Sequence, residues 1–291
     1  GYVAAIRGAQ LGLNVAIIEK EALGGICLNW GCIPTKSFLR SAEVLKIIKS
    51  SEKYGIKSEL GDVDINEIVK RSRSIAKKLS NGVQYLLKKN KVKIFYGEAS
   101  FKSSKSIKIK AKNNQIKEIS SENICIASGG RPREISGISN PNSVWFYKEA
   151  LQVDKIPSKL LVVGSGAIGV EFASFFSQMG SDVSLLESKS SILPNEDLDV
   201  SNFVEKQFLN RGIKIYKNHS LLSFREKGEL FEAELKSKDK MLSLEFERAI
   251  LAVGIVGNIE KLNLEGVNIK CSNGSILVDE FCRTNVDNIY A

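Results

Sequence analysis

Two groups of residues in this 291-residue chain carry chemistry by their type and spacing. The first is Cys27 and Cys32, in the run Leu23–Arg40, LGGICLNWGCIPTKSFLR. Gly24, Gly25 and Gly31 loosen the backbone around the two thiols. A redox dithiol needs only two sulfurs that can approach to about 2.05 Å, and one thiolate of lowered pKa to attack. A helix running from about Pro34 would favour that thiolate at Cys32 through its partly positive N-terminus. Zinc is the rival for paired cysteines, but it takes four ligands, and no second Cys or His pair lies at suitable spacing. No metal site is expected. A redox pair is the favoured reading, with zinc and inert thiols as the alternatives.

The second group is GSGAIG, Gly164–Gly169, preceded by the apolar run Leu160–Val163 and followed by an apolar helical stretch, with Glu187 about 20 residues on. In that setting the glycines allow a tight turn and the approach of a pyrophosphate to the backbone at a helix N-terminus, and Glu187 would accept a hydrogen bond from a ribose 2′-hydroxyl. A merely structural glycine turn is the alternative.

The elements that must position these residues occur twice. Shifted by 168 positions, Gly1–Lys20 overlays Gly169–Ser188. Gly1 falls on Gly169, Ala5 on Ala173, Gln10 on Gln178, Gly12 on Gly180, Val15 on Val183 and Glu19 on Glu187. Each copy reads as an apolar-periodic helix, a glycine break and a short strand ending in a carboxylate. By this register Gly1 is the last glycine of a first fingerprint, and the chain is expected to be a fragment of a parent with two dinucleotide folds. Further helices are expected at Pro34–Ser51 and Asn66–Lys89. Strands are expected at Val92–Phe101, Ile107–Ala111, Ile116–Ile119, Ile124–Ala127, Leu230–Leu235 and Met241–Phe246. A Gly/Ser/Pro/Asn-rich connection, Gly137–Ser143, should separate residues 1–143 from a nucleotide domain over 144–271, with 272–291 returning to the first domain.

Composition narrows the class. Hydrophobic residues are 43% and charged residues 26% of the chain, which excludes disordered and collagen-like sequences. No apolar run of about 18 residues marks a membrane helix, and no leader marks the sequence for secretion. The net charge of +9 comes from thinly spread lysines without interleaved aromatic residues, so a solvated surface is expected rather than a nucleic-acid partner. Of the five cysteines, Cys125, Cys271 and Cys282 stand singly and are expected to be buried or half-buried thiols. His219, the only histidine, is expected to be structural.

The runs GGICLNWGCIPTKS and GSGAIGVEFASFF, with their carboxylates, resemble the flavin-dependent pyridine nucleotide-disulfide oxidoreductases, and within them the dihydrolipoamide dehydrogenase branch. Ile124–Arg133, Ile192–Val200, Ala249–Gly266 and Thr284–Ala291 are similar to further stretches of that family. The resemblance implies an α/β fold of two Rossmann-like, three-layer domains that bind FAD and NAD. A C-terminal dimerisation domain, and a Gly-Asp that contacts FAD, would lie beyond this chain. It implies that Cys27 exchanges with dihydrolipoamide and that Cys32 faces the flavin. Lys36 would lie beside the flavin and pair with Glu171, a pairing also suggested by the cost of burying Glu171 alone. Gly1, Glu19, Gly24, Gly25, Gly97, Ala127, Ser128 and Gly129 would contact FAD. Gly164, Gly166, Ala167, Ile168, Gly169, Glu171, Glu187, Leu221 and Gly254 would line the NAD site. Glu187, with no arginine pair after it, favours NAD over NADP.

The family's His–Glu acid/base pair comes from the missing domain of a partner subunit, so the fragment alone is expected to be inactive. Implied partners are the lipoyl domains of 2-oxoacid dehydrogenase acyltransferases or the glycine cleavage H protein, and a second copy in the intact parent. The implied location is the bacterial cytoplasm or the mitochondrial matrix. A sister mercuric or glutathione reductase, or a non-catalytic nucleotide-binding remnant, are the alternatives.

Overall fold

A computed structural model describes residues 1–135, 138, 143–238 and 240–291. The expected connection Gly137–Ser143 lies outside the described residues except for Ile138 and Ser143. Among the described residues the α-helices are α1 (Tyr2–Gln10), α2 (Gly25–Trp30), α3 (Cys32–Lys49), α4 (Ile65–Lys89), α5 (Tyr147–Ala150), α6 (Ala167–Gln178) and α7 (Leu198–Asn210). No helix among them is long and apolar enough to cross a membrane. The chain divides into two units, one from Gly1–Asn29, Ala76–Arg131 and Ile255–Ala291, the other from Trp30–Ile75 and Pro132–Gly254.

The second unit holds a parallel sheet in the order Lys214–Tyr216, Asp182–Leu186, Lys159–Val163, Arg248–Leu251, Val144–Trp145. Strands covered on both faces need apolar side chains along their buried length, and Leu160–Val163 and Ala249–Leu251 supply them after a charged first residue in each. Leu161, Val163, Leu186, Ala249 and Leu251 pack on one side against Ala233, Leu235 and Phe246 of an antiparallel sheet, Ser220–Lys227, Leu230–Lys236 and Met241–Phe246. The alternate residues Leu160, Val162, Val183 and Leu185 turn to the opposite side, where α6 lies against both central strands. Antiparallel sheet, parallel sheet and helix make three layers of Rossmann type.

In the first unit Ala16–Glu19 pairs in parallel with Lys93–Tyr96. Ala5, Leu23, Val83, Leu87 and Val92 form the core between this pair and the helices beside it. An antiparallel sheet, Glu98–Ser103, Ser106–Lys110 and Ile116–Ser120, packs Phe101, Ile107 and Ile109 against Leu264, Val267, Ile269 and Ile289. Ile289–Tyr290 pairs in parallel with Ile124–Cys125.

The helix–strand repeat persists to the level of single hydrogen bonds. Leu11, Gly12 and Leu13 donate their N–H groups to Arg7, Ala9 and Gly8 at 3.1, 3.0 and 3.1 Å. Met179, Gly180 and Ser181, each shifted by 168 positions, donate to Phe175, Ser177 and Phe176 at 3.0, 3.1 and 3.0 Å. The glycine in each copy is left-handed, at φ 88° and 106°, which is why a side chain is absent there. The next helix end is doubled as well, a relation the sequence reading missed. Val92 donates to Leu87 and Ile213 to Phe208, at 3.0 and 3.1 Å, with Lys91 at φ 58° and Gly212 at φ 81° in the connecting position.

Three sequence expectations are corrected. The strand expected over Val92–Phe101 is divided at Gly97 into Lys93–Tyr96 and Glu98–Ser103, and the backbone packs so closely there that a Cβ would sit 2.7 Å from the Lys110 carbonyl oxygen. The chain changes there from a parallel to an antiparallel partner. The strand expected over Ile124–Ala127 ends at Cys125. Cys125, Cys271 and Cys282 are exposed, not buried. Cys125 follows the inward-leaning Ile124 in a two-residue strand, Cys271 lies in a short hairpin, and Cys282 occupies a turn at φ 62°.

Candidate functional site

Gly24 and Gly25 are both left-handed, at φ 111° and 74°, so the chain can turn sharply from the end of the Glu19 strand into α2. Helix α2 carries Cys27, Gly31 follows it, and α3 begins at Cys32, two residues before the expected start. Cys27 and Cys32 are joined by a disulfide, and both residues are exposed. An exposed disulfide is open to attack by an external thiolate. Once reduced, Cys32 sits at the first residue of an 18-residue helix, where the dipole favours its thiolate.

The support of this loop was not read from the sequence. Buried Asn29 donates from Nδ2 to the carbonyls of Leu23 and Gly25, both at 3.0 Å, and Ser80 Oγ donates to Leu23 at 2.7 Å. The available signal was a lone amide inside the apolar run ICLNW. Beside Asn29, the Trp30 ring is stacked by the Arg73 guanidinium at 3.8 Å, with Lys148 Nζ at 5.5 Å. Burial lowers the Arg73 pKa from its ordinary value.

Lys36 follows Cys32 by four residues, one turn along the same face of α3. Helix α3 packs on α6, with Phe38 and Phe175 rings 4.7 Å apart. At that contact Lys36 Nζ donates to Glu171 Oε1. The Glu171 side chain keeps 26% of its exposure and that of Lys36 65%, so burial does not compel the pairing, contrary to the expectation from cost alone.

The fingerprint glycines have three distinct tasks. Gly164 is left-handed at φ 96°, and a Cβ there would lie 2.5 Å from the Ala252 carbonyl oxygen. A Cβ at Gly169 would overlap the Gly164 carbonyl, so this glycine lets helix and turn touch. Gly166 precedes α6, and a Cβ there would meet nothing within 4 Å. Its backbone therefore stays open to a ligand, as the first-turn residues Ala167 and Ile168 also are.

Glu187 follows the Asp182–Leu186 strand and is 6% exposed. Its Oε2 accepts from the Ser165 N–H at 3.0 Å and Ser165 Oγ at 2.6 Å, and its Oε1 accepts from the Lys189 N–H at 2.9 Å and Ser188 Oγ at 3.2 Å. Burial pushes the Glu187 pKa up. The hydrogen bonds from the Ser165 hydroxyl, the Lys189 and Ser165 N–H groups and the Ser188 hydroxyl outweigh it, holding the carboxyl below its ordinary value. Ser165 was overlooked because it fills a variable place in the fingerprint. Gly254 is left-handed at φ 110° and its carbonyl accepts from the Arg133 N–H at 3.0 Å. Leu221 packs against the core beneath the antiparallel sheet, a placement that packing alone explains.

In the first copy Gly1 caps α1 and its Cβ position lies 3.3 Å from Ala127 Cβ. Glu19 Oε1 accepts from the Glu21 N–H at 2.8 Å, the same bond that Glu187 makes with Lys189. The Gly97 N–H donates to the Glu19 carbonyl at 2.9 Å. The exposed turn Ala127–Gly129 is tied down by Asn258, whose Nδ2 donates to Ser128 at 3.1 Å and whose N–H donates to Gly129 at 2.9 Å. His219 Nδ1 lies 2.6 Å from the Lys217 carbonyl and its ring stands edge-on to Tyr216, a local structural contact. Among the described residues no group of three or more His, Cys, Asp or Glu could hold a metal ion.

The sequence model of the family described as pyridine nucleotide-disulphide oxidoreductase matches residues 1–291. The dihydrolipoyl dehydrogenase of Zymomonas mobilis is 44% identical over 293 residues, covering 100% of this chain and 63% of that protein. The dihydrolipoyl dehydrogenase of Rhizobium etli is 42% identical over 310 residues, covering 100% and 64%. The Cu(II) complex of the HOCl-induced flavoprotein disulfide reductase RclA from Escherichia coli superposes with a TM-score of 0.85 at 26% identity, over 100% of this chain and 62% of that one. LpdA from Mycobacterium tuberculosis has the same fold, with a TM-score of 0.90 at 24% identity over 99% and 63%. The chain spans somewhat under two thirds of the length of these relatives.

Proposed function

Because this chain belongs to the pyridine nucleotide-disulphide oxidoreductase family, we propose that it forms the electron-transfer part of a dihydrolipoamide dehydrogenase. In that reading dihydrolipoamide is oxidised to lipoamide and NAD+ is reduced, by way of the Cys27–Cys32 pair. The observation that carries it is an exposed disulfide whose second cysteine opens a helix. One substrate thiolate attacks Cys27 Sγ and expels Cys32 as thiolate, leaving a mixed disulfide. The second substrate thiolate then attacks the substrate sulfur of that bond, releasing lipoamide and the Cys27 thiolate. The N-terminus of α3 holds the Cys32 thiolate, and Lys36, oriented by Glu171, supplies a fixed positive charge one turn along.

FAD, when bound, supplies the two-electron chemistry between the dithiol and NAD+. Residues 1–143 would be its domain, with 272–291 returning to it. Gly1 at the head of α1, Glu19, Gly24, Gly25, Gly97 and the Ala127–Gly129 turn would hold it. The backbone at Gly25 and Gly129 suits such a group, since no heavy atom lies within 3.8 Å of a Cβ built at either. Residues 144–271 would hold NAD on Gly164–Gly169, with Glu171, Leu221 and Gly254 at its border. The open space over Gly166 suits a pyrophosphate, and Glu187 suits a ribose diol better than a 2′-phosphate. Lipoyl domains of a 2-oxoacid dehydrogenase or glycine cleavage system are the proposed partners. A homodimer in the cytoplasm or mitochondrial matrix is the proposed setting of the intact protein.

The test is anaerobic titration of the intact parent protein with NADH and FAD, followed by thiol counting. Two thiols should appear and should then be consumed by lipoamide, and C27S should abolish that consumption. A thiol count that NADH leaves unchanged would refute the reading. Preferential reduction of glutathione disulfide or Hg2+ would move the chain to a sister branch.

A further inference from the structure

The Glu187 carboxylate presents an unusual problem to an incoming ribose. An ionised carboxylate has about four lone-pair positions, and here four donors already point at them: two from Ser165, one from Lys189 and one from Ser188. A ribose hydroxyl can therefore bind only by taking a place already filled.

The four donors differ in how easily they leave. The Ser165 and Lys189 N–H groups are backbone, fixed by the turn after Gly164 and by the end of the strand. The Ser165 hydroxyl belongs to a fully buried residue and is the shortest of the four bonds, at 2.6 Å, in the range of strong charge-assisted hydrogen bonds. The Ser188 hydroxyl makes the longest, at 3.2 Å, and belongs to an exposed residue that can turn to water at little cost. In the first copy of the repeat Lys20 stands where Ser188 stands in the second, so this hydroxyl is peculiar to the nucleotide-binding candidate.

We infer that Ser188 is a specificity-determining residue of the nucleotide site, its hydroxyl guarding the one acceptor position of Glu187 that a ribose 2′-hydroxyl can take. Binding is then an exchange of one donor for another, and the gain from the ribose contact is reduced by the loss of the Ser188 bond. A 2′-phosphate brings no hydroxyl donor and meets the same carboxylate charge, so Ser188 tunes NADH affinity without affecting NADPH. Ser165 is the positioning residue, holding Glu187 ionised and aimed. The inference rests on the reading of Gly164–Glu187 as an NAD site.

The test is a titration of NADH and NADPH against the full chain and three variants, followed by NADH fluorescence. S188A should bind NADH roughly three- to tenfold more tightly, the worth of one hydrogen bond no longer displaced, with NADPH binding unchanged. S188T keeps the hydroxyl and should bind as the unsubstituted chain does. S165A should weaken NADH binding and move the acid limb of its pH profile upward, since Glu187 loses its closest donor. Equal or weaker NADH binding by S188A overturns the inference, as does S188T behaving like S188A. In either case NADH binding by the unsubstituted chain leaves the nucleotide reading intact. Failure of the unsubstituted chain to bind NADH overturns both.

Discussion

A methyl group placed in turn at Gly164, Gly166 and Gly169 separates the part of the fingerprint that builds the fold from the part proposed to meet a nucleotide. At Gly169 the new Cβ would overlap the Gly164 carbonyl, a backbone atom that cannot swing aside. Helix α6 must then move off the turn, and overpacking of this kind costs about 1–3 kcal/mol or more. At Gly164 an alanine inherits φ 96° together with a 2.5 Å approach to the Ala252 carbonyl oxygen, so strain of about 1–3 kcal/mol adds to the overlap. Gly166 is different. Its φ of −68° and ψ of −176° suit any residue, and nothing lies within 4 Å of the added Cβ. Alanine is a poorer N-cap than glycine by up to about 1 kcal/mol. It also returns about 0.4–1 kcal/mol by restricting the unfolded chain. These terms nearly cancel, leaving a change within about 0.5 kcal/mol. A pyrophosphate lying over Gly166 would be pushed outward by the methyl, weakening NADH roughly five- to 150-fold for the same 1–3 kcal/mol of overpacking. Urea unfolding followed by circular dichroism, alongside NADH titration, reads both quantities. A Gly166→Ala variant that loses stability yet binds NADH normally would refute the division of labour, and so would a neutral Gly169→Ala.

Lys36→Met should change stability by less than about 1 kcal/mol, as expected for a largely exposed ion pair, while slowing the NADH-dependent appearance of thiols; parallel losses in both would reduce Lys36 to a packing role. Reduction of the Cys27–Cys32 disulfide opens a six-residue loop and should lower stability by about 2 kcal/mol on the chain-entropy estimate, read as a fall in Tm on adding reductant. The Glu187 pKa is lower folded than unfolded, so its stabilisation is fully present above the ordinary carboxylate pKa and is lost as pH falls through the folded value. Glu187→Gln should therefore be less stable at neutral pH, by about 1–3 kcal/mol for its mispaired donors, and should show a shallower acid decline in the urea midpoint. Lys91→Gly should stabilise by up to about 1 kcal/mol, read as a rise in Tm, because a left-handed lysine is strained where Gly212 fills the same place in the second copy; an unchanged or lower Tm would count against it.

The half proposed to bind a nucleotide was legible because its signals are local. Gly164, Gly166 and Gly169 fix one turn, the apolar run before them is a strand buried on both faces, and Gly180 ends the helix. None of this needs a distant partner. The redox loop was legible for the same reason, since two cysteines and three glycines fall within nine residues, Gly24–Cys32. What escaped depends on residues that meet only after folding. Asn29 and Ser80 converge on the Leu23 carbonyl from 57 residues apart in sequence for Ser80. Arg73 and Lys148 reach Trp30 from α4 and α5, and neither has a motif that announces it. The lone cysteines were misjudged because composition assigns Cys an average burial, whereas each of these sits in a strand of two residues or a tight turn.

The two copies of the helix–strand unit show which parts of such a site are demanded by backbone geometry and which are free to specialise. Leu11 and Met179, Leu13 and Ser181, Lys91 and Gly212 differ in chemistry yet occupy corresponding hydrogen bonds or turns. The carboxylate that ends each unit likewise takes the N–H two residues ahead, Glu21 for Glu19 and Lys189 for Glu187, at 2.8 and 2.9 Å. That shared bond orients the acid before any ligand arrives. The copies part company in the remaining acceptor positions. In the second, Ser165 and Ser188 fill them, bury the charge and lower its pKa. The backbone N–H two residues ahead fixes where each acid points, and in the second copy the Ser165 and Ser188 hydroxyls occupy acceptor positions of the carboxylate that, among the described residues, have no counterpart bond in the first.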